Sequence, residues 1–96
     1  MARRLYLIAY DISDDKRRTR VFETLKDHGE HVQFSVFFCE LSPPELVRLR
    51  SLLAEAIDHR ADQIIVLDLG DQQSPIDVLL ECIGRRYDPR PRVQVV

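Results

Sequence analysis

The residues of this 96-residue chain best suited to chemistry lie just after its first apolar run, "LYLIAY". Asp11 ends that run, Asp14 and Asp15 follow, and Lys16, Arg17, Arg18 and Arg20 come next. A carboxylate at the carboxyl end of a strand, just before a helix, is held rigidly and points out of the sheet. Hard cations such as Mg²⁺ take oxygen ligands, usually one or two carboxylates with water and phosphate. A single Asp is too little for a firm site. Two copies of Asp11 facing each other across a two-fold axis would supply two carboxylates, and a metal held there polarises a phosphodiester oxygen or activates a water for in-line attack. The competing use of Asp11 is structural, as a hydrogen-bond acceptor in the turn or a helix cap. Asp14 and Asp15 fit either additional ligation or the positive end of a helix. Arg17 and Arg20, three apart, share a helix face, and Arg18 lies beside the apolar stripe. These bases either grip phosphate and stabilise developing charge or balance Asp14 and Asp15.

Other candidates carry weaker chemistry. Tyr6 and Tyr10 alternate onto one strand face and suit a core better than a base-stacking surface. Phe34, Phe37 and Phe38 straddle both faces of a later extended stretch and also suit burial. His28 and His31 flank Gly29 and lack metal-ligand spacing, and a general-base role is the weaker reading for either. The chain has no phosphate-binding glycine loop, HExxH motif, nucleophile elbow or dinucleotide fingerprint. Cys39 and Cys82 form no zinc motif and read as buried thiols in a reducing compartment.

The elements that must position these groups follow from periodicity. Residues 4–10 are apolar on both alternating faces, as in a central strand covered on both sides. Ser13 is a plausible N-cap for a helix whose stripe is Val21, Phe22 and Leu25, closed by Gly29 as a left-handed cap. Residues 31–41 are extended, as one bent strand or two short ones, with no Asn-Gly-type signal for a tight hairpin. Ser42 and Glu45 form a capping box with Pro43 at the first helical position, and Leu46, Leu49, Leu53 and Ala56 make the stripe. Residues 63–69 read as a well-buried strand, 76–83 fit strand and helix equally, and "RVQVV" reads as a terminal strand after a Pro-rich linker. Two helices over a mixed sheet of four or five strands is the ferredoxin-like arrangement, α+β in class and one domain over residues 1–96. A terminal strand from 85–96 is able to pair with a partner's edge, which hints at a homodimer.

Composition sets the outer bounds. The chain is 45% hydrophobic and 31% charged, that of an ordinary globular protein. No apolar run reaches membrane length, and the N-terminus lacks a signal-peptide pattern, so a cytoplasmic location without membrane contact is expected. The net charge of −2 hides a segregation: residues 1–22 and 83–96 carry ten Arg or Lys against four Asp, while the middle carries four against twelve acids. Arg outnumbers Lys twelve to two, and Arg is the better bidentate phosphate ligand. Such a basic patch matters for nucleic acid only if the two ends meet in space.

Taken together, "YDISDDKRRTRV" (10–21) and "GEHVQFSVFFCEL" (29–41) resemble the Cas-two family, the small CRISPR-associated nuclease encoded beside the Cas-one integrase. "SPPELVRLRSLL" and "QIIVLDL" extend the likeness over about residues 4–70. The resemblance implies a ferredoxin-like fold with an added C-terminal strand and a symmetric homodimer. It also implies an Mg²⁺ or Mn²⁺ site between paired aspartates and an endonuclease that hydrolyses RNA or DNA. Further, it implies a partnership with the Cas-one integrase in spacer acquisition, the alternative being a non-catalytic scaffold that binds DNA and bridges integrase dimers. The matching positions are Tyr10, Asp11, Arg18, Arg20 and Phe37, with Asp11 as metal ligand and Arg18 and Arg20 contacting phosphate or supporting the site. His31 stands where many members have Arg before the VQ pair, and "SVFF" stands for the usual SVFE, with the acid delayed to Glu40. The resemblance also turns residues 76–83 toward strand.

Overall fold

The β-branched and aromatic stretches form strands, and the two capped stripes form helices. The computed structural model describes residues 3–71 and 76–87. Its elements are β1 (Arg4–Asp11), α1 (Asp15–Lys26), β2 (Glu30–Gln33), β3 (Val36–Leu41), α2 (Pro43–Ala56), β4 (Gln63–Gly70) and the short α3 (Ile76–Leu79). The four strands make one antiparallel sheet in the order β2-β3-β1-β4. Each helix joins two strands that flank a third, the split βαβ arrangement of a ferredoxin-like α+β domain.

The core lies between the sheet and the helices. Tyr6, Ile8 and Tyr10 of β1 and Phe37, Cys39 and Leu41 of β3 point into it. They meet Val21, Phe22 and Leu25 of α1 and Leu46, Leu49 and Leu53 of α2, the stripes read from helical spacing. Alternation sends Leu5, Leu7, Ala9 and Asp11 to the opposite face. No helix of the main pair covers that face, which is why β4 departs from the expected buried strand: Ile65 and Leu67 are 50% and 53% exposed. Residues 80–87 lie across a cleft from part of it, opposite Leu7, Val36 and Phe38.

Several local expectations are corrected. Residues 30–41 form two strands joined at Phe34-Ser35, a tight hairpin without an Asn-Gly pair, because Phe34 itself takes a positive φ of 29°. The N-cap of α1 is Asp14, whose Oδ2 accepts from the Arg17 amide at 2.9 Å, not Ser13. The start of 76–83, Ile76–Leu79, is a helical turn and not a strand, closed by the Leu80 amide donating to the Ile76 carbonyl at 2.9 Å. Cys82 is exposed, whereas burial pushes the Cys39 thiol up to about 11. The expected strand at 92–96 lies outside the described residues.

Gly29 is needed for space and not for a left-handed cap, since α1 ends at Asp27 with right-handed backbone. A Cβ on Gly29 would sit 2.3 Å from Cys39 Sγ and 2.6 Å from the Phe38 carbonyl oxygen. Gly29→Ala is expected to destabilise the fold by about 1–3 kcal/mol, the usual cost of overpacking. Adding Cys39→Ala relieves only part of that loss, because the carbonyl stays. Denaturant unfolding of the single and double variants measures both effects.

Candidate active site

Asp11 closes β1 on the uncovered face, its Cα opposite that of Gln63. The turn behind it is fastened without its help. Asp14 caps α1, and Arg18 Nη1 donates to the carbonyls of Ile12 (3.3 Å) and Ser13 (3.1 Å) while its Nη2 meets Asp15 Oδ1 at 2.5 Å. The structural duties open to Asp11 are thus filled by other residues. Among the described residues its exposed carboxylate has no hydrogen-bond or ion-pair partner.

A cleft of about 850 Å³ opens beside it, bounded by the β1–α1 turn, the β2–β3 hairpin and residues 80–87. Tyr10, Asp11 and Arg18 line one side, and Arg85 and Arg86 enter from the other. The two basic ends of the chain therefore meet here in part. Arg3 and Arg4 do not join them. Arg3 pairs with Glu45 at 2.6 Å and Arg4 with Asp68 at 3.1 Å, at the far end of β1, roughly 23 Å away at about 3.3 Å per residue.

The remaining predicted site residues divide between cleft and core. Tyr10 is buried at its edge, and desolvation raises its hydroxyl pKa against the opposing charge of Arg18. Its phenol stays protonated at neutral pH, so it donates but does not act as a base. Phe37 is fully buried beneath the cleft, edge-on to Phe22 (centroids 5.6 Å apart) and tilted against His31 (4.8 Å). Arg20 is exposed on α1 outside the cleft lining. Arg85 and Arg86, counted in the basic ends, line the cleft, and so does Phe34, which is exposed rather than buried as expected. Phe34 sits in the turn between β2 and β3, where strand alternation no longer sets its side, and the two arginines are remote in sequence.

Arg17 has a different duty from its neighbours. Its Nε and Nη2 reach Asp62 Oδ2 and Oδ1 at 2.7 and 3.2 Å, tying the start of α1 to the loop before β4. The Asp62 side chain is fully covered. The Arg17 hydrogen bond, then the Asp58 amide, hold its pKa below the ordinary 3.8; Arg4 and the Gly70 amide do the same for Asp68. Both folded pKa values lie below the unfolded ones, so this stabilisation is complete above the ordinary carboxylate range and disappears as pH falls through the lowered values. Melting temperature is expected to hold near neutrality and to fall below about pH 4, and Asp62→Asn should flatten that acid limb. A melting series against pH, wild type beside variant, checks this.

The topology defines a ferredoxin-like domain with a cleft at the end of its central strand, lined by Asp11, Glu81, Arg18, Arg85 and Arg86. The chain belongs to the family described as CRISPR associated protein Cas2, whose model matches residues 4–75. It is 36% identical over 95 residues to the CRISPR-associated endoribonuclease Cas2 1 of Rhodospirillum rubrum, covering 99% of this chain and 92% of the relative. It is 38% identical over 78 residues to the CRISPR-associated endonuclease Cas2 2 of Thermus thermophilus, covering 81% and 87%. The crystal structure of Streptococcus pyogenes Cas2 at pH 6.5 superposes with a TM-score of 0.72 at 30% identity, over 83% of this chain and 99% of that one. Among the described residues no helix is long and apolar enough to cross a membrane.

Proposed function

We propose that this protein is a divalent-metal-dependent endonuclease of CRISPR adaptation that hydrolyses phosphodiester bonds in RNA or DNA and works as a symmetric homodimer. The observation that carries this reading is Asp11: exposed, without a partner among the described residues, and set in the same cleft as Arg18, Arg85 and Arg86. A carboxylate kept at a strand end, while its neighbours perform every capping duty, is a group reserved for something outside the chain.

The residues present fit a hard cation only in duplicate. Among the described residues no group of three or more His, Cys, Asp or Glu gathers, too few donors for a firm site within one protomer. The apolar face beyond the cleft, from Asp11 through Ala9 to Ile65 and Leu67, is the surface a second copy would cover, bringing two Asp11 carboxylates toward one axis. Mg²⁺ or Mn²⁺ held by that pair would supply Lewis acidity at the phosphodiester and a more acidic water. The chain's own residues do the rest. Arg85 and Arg86 bind and orient the phosphate, Arg18 holds the turn that aims Asp11, and buried Tyr10 excludes water beneath the acid. The partnership with the Cas-one integrase in spacer acquisition is part of the same proposal.

Purified protein incubated with single-stranded RNA and with duplex DNA, in Mg²⁺, Mn²⁺ or EDTA, tests it. Cleavage present with metal and abolished by EDTA is expected. Cleavage indifferent to EDTA contradicts the reading. Failure to cleave with either metal, combined with duplex binding that weakens steeply with salt, leaves the non-catalytic scaffold in its place.

A further inference from the structure

Phe34 has no use in the chemistry above, yet the protein displays it at a cost. It is 88% exposed, although an aromatic ring contributes most when buried. Its φ of 29° lies where bulky residues rarely sit, a strain that persists only when the surroundings impose it. Those surroundings are visible. His31 Nε2 donates to the Phe34 carbonyl at 2.7 Å, and the Tyr10 amide donates to the Ser35 carbonyl at 3.1 Å. His31 in turn packs against Phe22 and Phe37. The hairpin tip is therefore anchored to the core, and the backbone that carries the ring is held in place.

That place is the cleft that also holds Asp11, Arg85 and Arg86. An exposed aromatic face on the same cleft as guanidinium groups matches a nucleic-acid strand in both of its parts, with a base stacking on the ring and phosphates meeting the cations. We propose that Phe34 is a base-stacking platform that receives one unpaired nucleobase of a strand whose backbone lies along Arg85 and Arg86. This rests on the phosphodiester reading and adds to it a residue that selects for accessible bases. A duplex offers a free base face only at its ends, so the platform favours single strands or frayed ends.

The test is binding in EDTA, where cleavage plays no part, using a short single-stranded oligoribonucleotide and a blunt duplex with the same number of phosphates. Phe34→Gly removes the ring and the backbone strain together. Its melting temperature should hold or rise while its single-strand affinity falls about tenfold, the scale of one lost stacking contact, with little change on duplex. Phe34→Trp should retain affinity, and because the chain has no other Trp, its fluorescence should be quenched as the strand binds. Unchanged affinity in Phe34→Gly, equal loss on both substrates, or unquenched Trp at saturation would overturn the proposal. So would weakened self-association in Phe34→Gly, which would mark the ring as a contact between copies. Intact metal-dependent cleavage alongside any of these results sinks the platform alone, whereas quenching and strand selectivity without cleavage leave the platform standing and sink the nuclease.

Discussion

Asp11→Asn is expected to reduce metal-dependent cleavage by about a thousandfold while leaving the fold intact. The substitution keeps the shape of the side chain and removes the charge that would hold a cation. Metal catalysis contributes several kcal/mol to transition-state stabilisation, and roughly 4 kcal/mol corresponds to about three powers of ten. The stability side is equally definite. Asp11 is exposed and has no partner among the described residues, so its replacement should change unfolding free energy by less than about 0.5 kcal/mol. Single-turnover cleavage and a thermal melt on the same preparation read both quantities. Cleavage near the wild-type rate in a folded Asp11→Asn protein would remove this carboxylate from the chemistry. A large loss of stability would instead return it to the structural role that the turn geometry argues against.

Phe37→Ala carries the largest expected loss of stability. The ring is fully buried and in contact with Phe22 and His31, and deleting a buried Phe side chain costs about 3–5 kcal/mol. A domain of this size has only about 5–15 kcal/mol in total, and each kcal/mol lowers the melting temperature by roughly 4–8 °C. The variant should therefore melt well over 10 °C lower, and any loss of cleavage should track the unfolded fraction. Phe37→Leu separates packing from chemistry. It keeps a large apolar side chain in place, at a stability cost expected to lie well below that of Phe37→Ala, and should cleave normally once its folded fraction is counted. A stable Phe37→Leu protein without cleavage would give this ring the direct part in the reaction that the family resemblance implies.

The same two residues show how far the chain could be read before it was seen folded. Alternation along residues 4–10 and helical spacing over 21–25 and 46–56 depend on neighbours close in sequence, and they placed Ile8, Leu25 and Leu49 in the core correctly. Capping at Ser42 is equally local, and it appears with both reciprocal hydrogen bonds. The position of Asp11, at the end of a strand and before a helix, belongs to this class. Local periodicity can be read directly because the period of each element is set by its own backbone geometry.

Tertiary structure decided what depends on distant neighbours. Whether Ile65 and Leu67 are buried turns on which sheet face α1 and α2 cover, which the periodicity of β4 does not report. Residues 76–79, whose periodicity fits strand and helix equally, take the helical form in the structure. Of the arginines, Arg17 is committed to Asp62, 45 residues away, and Arg4 to Asp68, 64 away, while Arg85 and Arg86 come to the cleft beside Asp11. Residue types alone made all of them equivalent. Charge and aromaticity are properties of single side chains, but a site is made of separations in space, and those are fixed only once the sheet order and the path of residues 80–87 are in place.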